Sequence, residues 1–121
     1  NPVRLLKDLK KILKTNGVVV VALPNTDSYD NLIYKKYWSG YDVPRHLYHF
    51  NRASFGFLAK KVGYRIVKTK PLYFDSFYVS MLSEKYKKNP LWFVFGFFNG
   101  FLSNLLAFYS KNHSSIIYII K

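Results

Sequence analysis

Residues 18–23 read Val-Val-Val-Val-Ala-Leu, and this run constrains the fold more than any other stretch of the chain. Four consecutive β-branched side chains resist helix and favour strand. A strand that is apolar at every position predicts burial on both faces, as in a parallel sheet covered by helices. The flanking segments agree with a layered α/β arrangement. Upstream, Asn1-Pro2 reads as an N-cap followed by proline at the first helical position. Leu5, Leu6, Leu9, Ile12 and Leu13 then recur at helical spacing, with Lys7, Asp8, Lys10, Lys11 and Lys14 on the other face. Asn16-Gly17 stops that helix, and Pro24-Asn25 ends the strand.

The rest of the chain continues the alternation. Residues 25–50 form a polar and aromatic loop, with Asp27 or Ser28 suited to cap a short helix through Tyr37. A loop of this length inside a compact domain points to function. Asn51 is expected to cap a second long helix, stapled by Phe50 and Phe55 and buried through Phe55, Leu58 and Val62. Gly63 ends it. Residues 64–74 alternate as a strand interrupted at Pro71. Residues 76–88 suit a helix, broken by Asn89-Pro90, and residues 115–120 a last strand.

With 121 residues, half of them apolar, the chain suffices for one packed domain and not for two. It has no cysteine, so disulfides and thiolate zinc sites are excluded, which fits a reducing, cytoplasmic setting. The first fifteen residues lack the apolar core and cleavage site of a secretory signal. A net charge of +13 raises nucleic acid or anionic membrane as partners. That charge comes from fifteen lysines and only four arginines. The lysines fall in pairs on water-facing helix surfaces, and arginine is the side chain that reads phosphate and guanine in bidentate fashion. No nucleic-acid partner is therefore expected, and nucleic-acid binding through aromatics in a basic groove ranks last among the alternative functions.

Several segments in order resemble one family. They are Leu13-Lys14-Thr15-Asn16-Gly17 before the strand, Leu23-Pro24-Asn25 at its end, and Trp38 in the loop. Asp42, Pro44, His46 and Phe50 follow in a D-x-P-x-H-x-x-x-F pattern, then Gly63-Tyr64 after the next helix. The set resembles the carboxyl-terminal half of class I S-adenosylmethionine-dependent methyltransferases, in the bacterial branch often found near sugar and lipid biosynthesis. The resemblance covers residues 1 to about 75 and the last strand. It implies the second half of a Rossmann-like seven-stranded α/β fold. Residues 18–23 would be strand five, residues 64–74 strand six and residues 115–120 strand seven, lying between them. The chain would then be a single partial domain, 1–121, with an apolar helical insertion over 76–112. It would belong to an enzyme that moves a methyl group to a small-molecule or to a lipid- or sugar-linked acceptor. S-adenosylmethionine would be held upstream, because no Gly-rich turn follows a strand here and no acidic residue ends the next one. The fragment alone is expected to be inactive, and its raw sheet edge to favour self-association.

Within the 25–50 loop, His46 is the candidate catalytic base, since imidazole titrates near neutrality and the loop lies outside the carboxyl end of a strand. A purely structural bracing role competes with that reading. Asn25, Trp38, Tyr41, Asp42, Arg45 and His49 are the candidate acceptor-binding residues, with an internal Asp42–Arg45 ion pair as the alternative. Asp42, His46 and His49 repeat no known metal-site spacing. Residues 91–109 run LWFVFGFFNGFLSNLLAFY without a charge. This is long enough to span a bilayer, but it carries Gly96, Asn99, Gly100, Ser103 and Asn104. A buried or lid helix ranks first. A membrane-surface helix through Leu91–Tyr109 ranks second, which would make the chain a basic aromatic module docking on anionic membrane through 77–109. A true span ranks third.

Overall fold

A computed structural model describes all residues, Asn1–Lys121. The first helix, α1 (Pro2–Ile12), starts as its sequence implies, with the Asn1 side chain accepting from the Arg4 amide at 3.2 Å. Its buried stripe is narrower than the pattern predicts. Leu6 is buried and Val3, Leu9 and Leu13 pack on the core, whereas Leu5 and Ile12 face outward.

Strand β1 (Val19–Pro24) follows, then α2 (Tyr29–Tyr34), capped by Ser28. The short helix expected through Tyr37 ends at Tyr34 and continues as a 3-10 turn, Lys35–Tyr37, and a second 3-10 turn, Ser39–Tyr41, follows it. Helix α3 (Arg52–Lys61) begins with a full capping box: the Asn51 side chain accepts from the Ser54 amide, and the Ser54 hydroxyl accepts from the Asn51 amide. Phe50 and Phe55 meet edge to face at 6.0 Å, the expected staple. Gly63, at φ 79°, supplies the left-handed residue that turns the chain into β2 (Ile66–Pro71). Helices α4 (Asp75–Tyr86) and α5 (Trp92–Ser110) form an antiparallel hairpin, and β3 (Ser115–Ile120) completes the chain's secondary structure.

The fold is mixed α/β with a three-stranded antiparallel sheet of order β1-β3-β2. β3 lies in the middle and runs against both neighbours, so β1 and β2 are parallel to one another. Ile116, Tyr118 and Ile120 of β3 share a face with Val19, Val21 and Leu23 of β1. That face packs on Leu6 of α1 and on Phe55, Leu58, Ala59 and Val62 of α3. The opposite face carries Val20, Ala22, Ile117, Ile119, Lys68 and Lys70 by register. Here the double burial expected of residues 18–23 fails: Val20 is 61 % exposed, and helices cover one face only. Val67 is the extra residue of an irregularity between Ile66 and Lys68.

A second, smaller core lies beyond the end of the sheet where β1 and β2 finish. Tyr34, Trp38 and Val79 pack there with Tyr41 against them. At its centre is Asp30, fully buried. One carboxylate oxygen accepts from Trp38 Nε1 at 2.7 Å and Ser114 Oγ at 2.8 Å, and the other from Ser103 Oγ at 2.8 Å. These bonds tie α2, the 3-10 turns, α5 and the entrance to β3 to one side chain. Asp30→Ala should destabilise the protein by about 3 kcal/mol, because buried donors lose their acceptor. Asp30→Asn should cost less, since one carbonyl oxygen remains. Urea denaturation monitored by Trp38 fluorescence measures both, and a loss under about 1 kcal/mol for Asp30→Ala would contradict the assignment.

Candidate functional site

The 38–50 loop hangs over the carboxyl end of β1, held there by a parallel bridge between Asn25 and Phe50. Asp42 takes a left-handed backbone conformation after the second 3-10 turn. One of its carboxylate oxygens accepts from Arg45 Nη2 at 2.6 Å and from Nε at 3.0 Å. The internal ion pair therefore exists, and the Arg45 side chain is otherwise in water. The other Asp42 oxygen stands 3.9 Å from Nδ1 of the half-exposed His46. That is beyond hydrogen-bond length. His49 Nε2 lies 2.8 Å from the Tyr41 carbonyl, which can only accept. The proton therefore sits on Nε2, and Nδ1 is left free. Tyr41 packs edge to face on both Trp38 and His49.

The loop thus brings Tyr41, Asp42, Arg45, His46 and His49 together. It does not gather all the candidate residues on one open surface. Trp38 is 2 % exposed, with its indole N–H bound to Asp30, so it supports the loop from beneath. Asn25 is also buried. Its Nδ2 donates to the His113 carbonyl at 3.1 Å and its Oδ1 accepts from the Asp27 amide at 3.2 Å. This is an Asx turn that closes the end of β1. His46, His49, Tyr48 and Thr26 line a cleft of about 50 Å³, room for a water or two. No three His, Asp or Glu side chains converge as a metal site requires.

On the other side of Thr26 lies a much larger basin of about 780 Å³, floored by Asp27, Ser28 and Tyr29 and walled by Leu32, Leu106 and Tyr109. Its size suits an organic ligand. Sequence reasoning missed it because half of its wall comes from the end of α5, eighty residues away along the chain. The one available signal was the position of Thr26 and Asp27 just past the carboxyl end of a strand.

Three buried polar groups also escaped notice. The Tyr34 hydroxyl accepts from Asn99 Nδ2 at 2.9 Å. Burial raises its pKa above the ordinary tyrosine range; the Asn99 bond opposes that and the nearby Glu84 carboxylate adds to it. Glu84 itself is buried and accepts from Asn89 Nδ2 at 2.6 Å. His113 is buried against the Tyr73 ring, with Nδ1 unpartnered. Burial lowers its pKa, and the Lys111 and Arg52 charges lower it further.

The His113 shift has a definite sign in stability. A histidine whose folded-state pKa is depressed binds fewer protons when folded, so stability falls as pH drops through the unfolded value of 6.5. Replacing His113 with Gln should flatten that acid-side slope while leaving stability above neutral pH nearly level. Thermal melts from pH 5 to pH 8 test this, and parallel profiles for the two proteins would refute it. Comparison of the chain with protein-family models, with curated proteins and with solved structures finds no match.

Proposed function

We infer that this chain is the carboxyl-terminal part of a class I S-adenosylmethionine-dependent methyltransferase domain, and that it forms the acceptor side of the catalytic site. One observation carries the reading: the last strand, β3, inserts between β1 and β2 and runs antiparallel to both. That is the order implied for strands five, seven and six. The free edge of β1 and the uncovered sheet face around Val20 and Ile119 also fit, since an amino-terminal half would pair and pack there.

The cofactor does not fit the residues of this chain alone. Gly96 and Gly100 are pressed against the backbone of α4, and Gly40 lies under the Trp38 ring. Gly63 caps α3, and no glycine follows a strand. The buried carboxylates Asp30 and Glu84 are held by internal donors. The amino-acid and ribose ends of S-adenosylmethionine would have to be held by residues upstream of Asn1. The basin at Asp27 and Tyr29 is the proposed acceptor pocket. His46 would take the acceptor's proton from the neighbouring cleft.

Titration calorimetry of S-adenosylmethionine into this chain, and into the same chain extended upstream by its own preceding sequence, tests the reading. Binding to the extended chain alone is the expected result. Silence from a folded extended chain would sink the proposal. In an active extended protein, His46→Asn should lower kcat by roughly a hundredfold or more if His46 is the base. An unchanged kcat would leave His46 with bracing alone.

A further inference from the structure

Helices α4 and α5 are packed inside out for a hairpin in water. The side of α5 that meets the protein is made of small residues: Gly96, Gly100, Ser103 and Ala107 are its buried positions. A Cβ at Gly96 would fall 2.4 Å from the Met81 Cα, and one at Gly100 would fall 2.7 Å from the Phe77 Cα. The two backbones are therefore in contact. The polar side chains in the middle of α5 also turn inward. Asn99 donates to Tyr34, Ser103 to Asp30 and Asn104 to the Tyr73 carbonyl. Val94, Phe98, Phe101 and Leu105 point outward with most of α5's other large side chains, and Tyr78 of α4 and Phe74 just before it do the same. A helix in water hides its large apolar residues and shows its polar ones. Packing by small residues with large apolar groups outside is how helices associate in lipid. A contiguous apolar face along a helix of 19 residues also exceeds what a protein leaves bare without a partner.

Charge identifies the partner. No charged residue lies on α5 itself, but cations bracket it: Lys85, Lys87 and Lys88 at the hairpin turn and Lys111 at the other end. The acidic side chains nearest the turn and the middle of α5, Glu84 and Asp30, are buried, and Glu84 pairs with Lys87 at 3.8 Å, which leaves Lys85 and Lys88 as the cations at the turn without an acidic partner. At the turn Lys85 lies over the Trp92 ring at 3.9 Å, and Tyr109 projects at the far end, so an amphipathic aromatic marks each end. An apolar strip with a cationic rim complements an anionic bilayer.

The hairpin lies flat on such a surface. By length and hydropathy α5 alone qualifies as a span. However, α4 has 12 residues, about 18 Å, too short to return across the hydrocarbon. Both ends of the hairpin lead straight into the same sheet, through β2 and β3. We propose that the α4–α5 hairpin is an in-plane membrane anchor, which seats the protein on anionic lipid with the outer aromatics of α5 among the acyl chains and the bracketing lysines among the headgroups. This does not rest on the methyltransferase reading.

Flotation with vesicles of phosphatidylcholine, alone or mixed with phosphatidylglycerol, tests the anchor. The protein should float with the mixed vesicles and much less with phosphatidylcholine. The double variant Phe98→Ser, Phe101→Ser changes exposed positions only and should keep its circular dichroism spectrum. It should partition about tenfold more weakly or less. Lys85→Gln with Lys88→Gln should weaken binding to the mixed vesicles about tenfold and leave that to phosphatidylcholine unchanged. Absence of the folded protein from both vesicle fractions would overturn the proposal. So would a dimer in sedimentation equilibrium that the Phe98, Phe101 variant abolishes without any lipid binding, which would assign the face to a second copy. Loss of flotation in the upstream-extended chain would likewise overturn it by assigning the face to another segment.

Discussion

The second core of this molecule depends on one carboxylate. Asp30 sits in the first turn of a six-residue helix too short to persist by itself. Its oxygens receive donors from three other segments, and no cation takes part. Hydrogen bonds to a buried acceptor are worth most when every donor is satisfied at once. Trp38 thereby fixes the loop that carries Asp42, Arg45 and His46. Ser103 fixes the rotation of α5, and Ser114 fixes where the central strand begins. The second core contains only three buried hydrophobic residues, so these bonds do much of the ordering there.

The elements were legible where local chemistry is strong. Asn51 and the Phe50–Phe55 pair announce the start of α3, and the β-branched run announces β1. The single-sided burial of β1 was not legible. An apolar residue reads alike whether a helix covers it or not, so Val20 looked as buried as Val21. The inward turn of α5 was hidden for a related reason. Its glycines and serines read as dilution of an apolar run, whereas in space they are the contact with α4.

The candidate site divides along the same line. Asp42, Arg45, His46 and His49 lie within eight residues, and their mutual contacts follow from turn geometry that spacing can suggest. Trp38 and Asn25 are aromatic and polar residues in a loop, a description that fits a pocket wall as well as a buried strut. Only the positions of Asp30, Ser114 and His113, all far away in sequence, separate the two. The basin beside Asp27 has the same origin, since one wall is the end of α5.

The central position of β3 also sets the order in which the sheet can assemble. β1 and β2 do not touch, so neither has a strand partner until β3 exists. Val19 pairs with Ile120 and Leu23 with Ile116, contacts that close very long loops and therefore form slowly. On the ribosome, β3 is made after every other element seen here. Until then the chain carries an aromatic hairpin beside two unpaired strands, a combination prone to stray association. A surface that captured the hairpin early would hold the nascent chain out of that traffic while the middle strand arrives.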